Sequence, residues 1–169
     1  MIFTDKARRR LEIAANIAIL VVAIVIVRNF VLSKWPWPQQ LEVPTIGTKI
    51  SLPGSKWDEG TTLVMALQKG CRYCEESSSF YRRLREQRSG ALPRMVAVVP
   101  GTKSDIASYL SNQGIIVDDI VNVSLSDIKV SYTPTLLLVD RSGSVTDVWV
   151  GKLDARKEKE VIQRVSNSK

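Results

Sequence analysis

Hydrophobic and polar positions divide the chain into one long apolar run near the N-terminus and, after residue 44, short apolar runs separated by polar turns. The long run extends from Leu11 to Leu32, and Asn16 is the only polar residue between Ile13 and Val27. As a helix this run would extend about 33 Å, which is enough to cross a hydrocarbon core of ~30 Å. It therefore predicts a transmembrane anchor over 11–32.

A cleaved signal peptide has a similar basic start and apolar middle, but it needs small residues in an A-x-A-like pattern at the cleavage site. Here the run is followed by Ser33, Lys34 and Trp35, so that pattern is missing. No cysteine follows the run closely either, which excludes a lipoprotein anchor. We therefore favour an anchor that is retained.

Basic residues predict the orientation of this anchor. Four of them precede the run: Lys6, Arg8, Arg9 and Arg10. Because positive charge favours the cytoplasmic side, residues 1–10 are expected in the cytoplasm and the rest of the chain outside it. Arg28 and Lys34 at the far end weaken this bias without reversing it.

Residues 33–44 read as a linker. Trp35 and Trp37 lie where an interfacial aromatic belt is expected, although they could instead pack on the domain that follows. Pro36 and Pro38 favour a stiff, extended segment between bilayer and domain.

From residue 45 onward, apolar runs that suit strands alternate with segments that suit helices. Strands are predicted at Thr62–Leu67, Arg94–Val99, Thr135–Val139 and Val145–Val150, with a further short strand or hairpin arm at Gly47–Leu52. Helices are predicted over Cys71–Arg88, from a Ser104 cap through Asn112, and from Asp154 onward with Val161, Ile162 and Val165 on the inner face. Ile120–Val123 fits a strand or a turn equally well.

This order predicts an α/β domain over 45–169: a mixed sheet with helices on both faces. A domain of this length can bury a core without disulfides. The two cysteines are therefore available for chemistry.

Composition narrows the range of functions. The chain has 24 basic and 17 acidic residues, a net charge of +7 that is concentrated before residue 35. This asymmetry favours an anionic lipid surface near the anchor and gives no case for nucleic acid. The chain has no histidine, which rules out Ser-His and Cys-His catalysis and any metal site with an imidazole ligand.

Cys71 and Cys74 are the only cysteines, and they lie between a predicted buried strand and a predicted helix. Cys71 would stand at the helix N-terminus, where free backbone N–H groups favour a thiolate, and Arg72 would add positive charge beside it. Cys74, one turn further on, would be more buried and would resolve a mixed disulfide. The pair therefore predicts redox chemistry.

Two other interpretations of the pair are weaker. A zinc site needs further Cys or His ligands, and the chain has none. A purely structural disulfide that closes so short a loop would constrain the unfolded chain little. We expect neither a metal nor a cofactor.

The sequence resembles the thioredoxin superfamily, in particular its membrane-anchored TlpA-like and redoxin-like extracytoplasmic branch. The strand–CRYC–helix unit, the segment Val130–Thr135 and the hairpin strand that ends at Gly151 carry the resemblance, which covers roughly Val43–Lys169. It implies a thioredoxin-like fold, a cis Pro134 beside the cysteine pair, and a Thr133 backbone that meets the substrate chain.

The chain also departs from this family. Met65 stands where thioredoxins commonly carry a buried acid, so the proton acceptor for Cys74 is open. Glu75 and Glu76 are nearby, but both are typical of a solvated helix face. Gly70 stands where the TlpA-like branch often has Trp.

The resemblance implies a thiol-disulfide oxidoreductase of the bacterial inner membrane, single-pass, with its domain in the periplasm. Its partners would be disulfide or dithiol proteins and a membrane-bound or extracytoplasmic electron partner, with reductase slightly favoured over oxidase. A peroxiredoxin-like peroxidase is an alternative, although Val64 and Gln68 replace the Pro and Thr or Ser of that family's motif. A non-catalytic, membrane-tethered binding domain is another. Copper delivery would need a histidine.

Overall fold

The computed structural model describes residues 5–32, 42–86 and 93–168. The chain separates into two compact units, Met1–Gln40 and Leu41–Lys169. In the first, helix α1 (Asp5–Ile26) continues as a π-helix over Val27–Leu32. Its stretch Glu12–Asn29 is long and apolar enough to cross a membrane by length and composition, and it exposes its side chains. The predicted anchor 11–32 lies within the helical residues 5–32. Trp35, Trp37 and most of the predicted linker lie outside the described residues.

The second unit is built on a five-stranded mixed sheet. Its strands are β1 (Thr62–Ala66), β2 (Arg94–Val98), β3 (Asp119–Val121), β4 (Thr135–Val139) and β5 (Val145–Val150). Their order across the sheet is β3-β2-β1-β4-β5. The first three strands run parallel, while β4 is antiparallel to both β1 and β5. The predicted mixed sheet is confirmed.

Both faces of the sheet are buried, which explains why the central strands read as continuous apolar runs. Side chains alternate between the faces along each strand. In β1, Leu63 and Met65 pack on the side that holds Cys74, while Val64 and Ala66 pack on the other. Every residue of β1 and β4 is buried.

Four α-helices cover the face that holds Cys74. They are α2 (Arg72–Glu76), α3 (Ser78–Glu86), α4 (Lys103–Asn112) and α5 (Ala155–Asn167). The opposite face is covered by the segments around two short 3-10 helices, Trp57–Glu59 and Leu125–Ile128. Helical structure therefore lies on both faces as predicted, but the helices described on the second face are 3-10 turns only.

The predicted helix Cys71–Arg88 is divided at Ser77. The Ser77 hydroxyl donates to the carbonyl of Tyr73 at 2.7 Å, four residues earlier. Such back-bonding competes with the helical ladder and bends helices. α2 ends at Glu76 and α3 begins at Ser78, while the Ser77 amide still donates to the Tyr73 carbonyl and the Tyr81 amide to the Ser77 carbonyl. The predicted end of the helix at Arg88 lies outside the described residues.

Two other predictions differ from the structure, and one segment that the sequence left open is assigned. The cap of α4 is Thr102, whose hydroxyl accepts from the Asp105 amide, and not Ser104. Gly47–Leu52 forms a single bridge, Lys49 to Ser144, and no strand. The ambiguous segment Ile120–Val123 contributes to the edge strand β3. The cap of α5 is Asp154, as predicted.

Candidate active site

Cys71 follows the central strand β1 and a tight turn. The turn ends at Gly70, whose φ of +75° lies in the left-handed region that favours glycine. This conformation accounts for a glycine at position 70, where the TlpA-like branch that the sequence resembles often has Trp. Cys71 is then the N-cap of α2, and its Sγ accepts a hydrogen bond from the Cys74 amide at 3.2 Å. The predicted place of Cys71 at a helix start is confirmed.

A second segment, distant in the chain, completes the surroundings of Cys71. The hydroxyl of Thr133 donates to Cys71 Sγ, and the Cys71 thiol donates to the Thr133 carbonyl, both at 3.4 Å. The Thr133–Pro134 peptide bond is cis, in agreement with what the resemblance implies. The Pro134 carbonyl accepts from the Gly151 amide at 2.7 Å, which joins this segment to the end of β5.

These contacts change the acidity of Cys71. Partial burial alone would raise its pKa. Hydrogen bonds from the Cys74 and Thr133 side chains and from the Cys74 and Tyr73 backbone stabilise the thiolate and outweigh burial, so the pKa is lowered below its ordinary value. Cys71 is half-buried and Thr133 likewise, so an incoming sulfur can reach the site.

Cys74 has the opposite character. It is fully buried, and burial together with the neighbouring Cys71 raises its pKa to about 12. Both cysteines are free thiols. At neutral pH the structure therefore combines an accessible, easily ionised sulfur with a buried, protonated one.

Two tyrosines pack in the core around Cys74. Burial is the main cause that raises the pKa of Tyr81 and of Tyr109. The Tyr109 hydroxyl has no hydrogen-bond partner within the described residues. Met65 lies in the same cluster, and the buried polar side chains described are those of Thr62, Ser77, Ser78 and Thr135. None of these buried side chains carries a carboxylate.

The structure places Arg72 in an ion pair. Its Nε lies 2.7 Å from Glu76 Oε1, and its side chain is 85% exposed. Lys152 Nζ lies 2.8 Å from the other carboxylate oxygen of Glu76. The hydrogen bonds from Lys152 and from Arg72 lower the pKa of Glu76. Glu76 therefore binds the Arg72 guanidinium. The predicted stabilisation of the Cys71 thiolate by Arg72 stays a prediction.

Sequence reasoning missed this role of Glu76 and the involvement of Lys152. The i,i+4 spacing of Arg72 and Glu76 was an available signal, since such pairs meet on one helix face. Nothing local in the sequence connects Lys152 to α2, because the contact depends on the path of β5.

No protein-family profile matches this chain, and no curated protein matches it. Solved structures do. A thiol-disulfide isomerase from Corynebacterium glutamicum is 13% identical with a TM-score of 0.55, and the match covers 77% of this chain and 96% of that one. The thioredoxin domain of a thiol-disulfide oxidoreductase from Bacteroides vulgatus is 14% identical, with a TM-score of 0.55 and coverage of 76% and 100%. StoA from Bacillus subtilis is 14% identical, with a TM-score of 0.51 and coverage of 70% and 97%.

At such identities these likenesses establish the fold alone. The domain has a thioredoxin-like fold, and the predicted fold class is confirmed.

Proposed function

We propose that this chain catalyses thiol-disulfide exchange with protein substrates through Cys71 and Cys74, with the role of reductase slightly favoured over that of oxidase. The observation that carries the proposal is the opposite character of the two thiols: Cys71 is accessible with a lowered pKa, and Cys74 is buried with a raised one. The neighbours of this fold that are named for thiol-disulfide chemistry support the same activity.

The first step is attack by Cys71. Its thiolate attacks one sulfur of a substrate disulfide, the new Cys71–substrate bond forms, and the other substrate sulfur leaves as a thiolate that takes a proton from water. Thr133 supports this step by its hydrogen bond to the attacking sulfur. Its backbone and Pro134 flank the position that the substrate chain would occupy.

The second step is resolution by Cys74. The Cys74 thiol gives its proton to water and attacks Cys71 Sγ. The Cys71–Cys74 disulfide forms, the Cys71–substrate bond breaks, and the substrate sulfur leaves as a thiolate. Two electrons have then moved from the pair to the substrate. A membrane-bound or extracytoplasmic dithiol partner would return them by the same exchange in reverse.

Trapping tests the exchange directly. Cys74→Ser removes the resolving sulfur, so Cys71 should remain joined to its substrate as a mixed disulfide that mass spectrometry can identify. Cys71→Ser is the matched control, and it should trap nothing because the buried Cys74 is inaccessible. Recovery of no adduct from cells with Cys74→Ser, or equal adducts from both variants, would contradict the mechanism.

We also propose the division into a cytoplasmic segment 1–10, a membrane anchor 11–32, a linker 33–44 and a periplasmic domain 45–169. The exposed apolar side chains of Glu12–Asn29 support the anchor, which would contact the lipid bilayer. In intact spheroplasts an impermeant maleimide should label reduced Cys71. Labelling only after lysis would place the domain in the cytoplasm instead.

A further inference from the structure

Among the described residues, Lys69 and Arg72, which are close to Cys71 in the sequence, and Lys152 are each paired with a carboxylate. Lys69, two residues before Cys71, lies 3.6 Å from Asp105. Arg72 and Lys152 share Glu76, one on each carboxylate oxygen. Glu76 differs from Asp105 in that it binds two cations from two segments, α2 and the turn after β5.

Both cations lie on segments that form the site. Arg72 directly follows Cys71 in α2. Lys152 directly follows Gly151, whose amide binds the Pro134 carbonyl beside Thr133. A positive charge on either segment would stabilise a Cys71 thiolate if nothing opposed it. Glu76, on the same short helix as Cys74, supplies the opposing charge.

We propose that Glu76 is a positioning residue for the redox pair: by binding Arg72 and Lys152 together, it withholds both cations from the Cys71 sulfur and keeps the pair reducing. The inference deepens the proposed function and rests on it, because it names what sets the direction of exchange. A thiolate that is stabilised less makes the reduced pair a stronger donor of electrons, since stabilisation of the reduced form is what makes such a pair oxidising.

The size of the effect follows from exposure. Arg72 is 85% exposed, Lys152 49% and Glu76 30%, so solvent and salt screen their charges. We therefore expect Glu76→Gln to increase the ionisation constant of Cys71 about two- to three-fold at low salt. The increase should shrink towards the wild-type value at high ionic strength.

The test titrates the Cys71 thiolate by ultraviolet absorbance in the full-length reduced protein in detergent. Glu75→Gln is the matched control, because Glu75 is exposed on the same helix and makes no ion pair within the described residues. It should change the ionisation constant by less than half as much as Glu76→Gln. Adding Arg72→Gln to Glu76→Gln should reverse most of the increase, whereas Arg72→Gln alone should have little effect.

The same variants are then equilibrated with dithiothreitol at a pH above the pKa of Cys71 and below that of Cys74. Glu76→Gln should favour the reduced pair about two- to three-fold more than the wild type does. Equal titrations of Glu76→Gln and Glu75→Gln, a decrease in ionisation, or a shift that high salt leaves unchanged would overturn the inference. If no variant forms the Cys71–Cys74 disulfide at all, the proposed function fails, while the titration still decides the role of Glu76.

Discussion

The hydrogen bond from Thr133 to Cys71 offers a sharp test of how this site activates its sulfur. Thr133→Val keeps the shape of the side chain and the backbone carbonyl but removes the hydroxyl that donates to Cys71 Sγ at 3.4 Å. The variant should raise the pKa of Cys71, because this bond is one of those that outweigh burial. Thr133→Ser, which keeps a hydroxyl, is the control.

The magnitude can be worked from the contact. A hydrogen bond to a charged group contributes about 1.5–3 kcal/mol. This one is long and lies at a half-buried sulfur, so we take about 1 kcal/mol, which corresponds to about a five-fold decrease in ionisation constant. Below the pKa the thiolate fraction falls by the same factor, but the remaining thiolate is more basic and more nucleophilic, with a Brønsted slope of about 0.4–0.5. At pH values below the pKa of Cys71, the rate of disulfide attack should therefore fall only about two- to three-fold.

Two measurements check this result: thiolate absorbance against pH, and the pH profile of the rate with a small disulfide. Thr133→Val should move both midpoints to higher pH, and Thr133→Ser should leave them near the wild-type value. If Thr133→Val titrates like the wild type, the hydroxyl does not stabilise the thiolate. If Thr133→Ser and Thr133→Val shift the titration equally, packing of the side chain and not the hydrogen bond controls the pKa of Cys71.

Three further predictions concern stability. Tyr109→Phe removes a buried hydroxyl without a partner among the described residues and should increase the free energy of unfolding by up to about 1 kcal/mol in chemical denaturation; a loss of stability would show that the hydroxyl is engaged. Leu137→Ala, in the fully buried centre of β4, should lower the free energy of unfolding by about 2–5 kcal/mol in the same assay. A loss under about 1 kcal/mol would mean that neighbouring side chains move in to fill the cavity. Because the pKa of Cys74 is raised to about 12, the reduced protein should lose stability as pH rises from the ordinary pKa of a cysteine towards 12. The loss relative to Cys74→Ser should be at most about 1.4 kcal/mol per pH unit, and parallel pH profiles of the unfolding free energy for the two proteins would contradict the raised pKa.

Much of the fold was predictable because local signals agreed with tertiary structure. β1 and β2 each end within one residue of prediction, and β4 and β5 have the predicted bounds. Their apolar runs are buried on both faces of the sheet, and Gly or Pro residues bound most of them. The places of the two cysteines were also predictable, because their spacing after a buried strand indicates which one caps the helix and which one is buried.

The errors occurred where a single side chain or a distant contact decides the structure. Nothing in the apolar pattern of Cys71–Arg88 shows that the helix would be divided at Ser77, whose hydroxyl donates to the Tyr73 carbonyl. The cap of helix α4 was predicted at Ser104, whereas Thr102, two residues earlier and also of a residue type that caps helices, is the cap.

The charge environment of Cys71 was the least predictable part of the site. Arg72 was expected beside the thiolate because it is adjacent in sequence, whereas the structure pairs it with Glu76. The second cation on that carboxylate, Lys152, comes from a segment 76 residues away, so only the tertiary fold places it there. Electrostatics at a surface site depends on such partners, and a single sequence does not show them.

The two sulfurs also influence each other, and this coupling orders the exchange that we propose. In the reduced protein the pKa of Cys74 is raised first by burial, then by its hydrogen bond to Cys71 and by the charge of Cys71. Once Cys71 is bonded to a substrate sulfur it carries no charge, so the repulsion from its thiolate disappears and burial remains as the main cause. In the exchange that we propose, Cys74 would therefore ionise more readily in the mixed disulfide than in the free reduced protein. Burial, the largest cause, would still hold its pKa above the ordinary value, and none of the buried side chains described around Met65 carries a carboxylate that could take the proton. Loss of the Cys71 charge would thus order the two steps, with attack by Cys71 first and attack by Cys74 second.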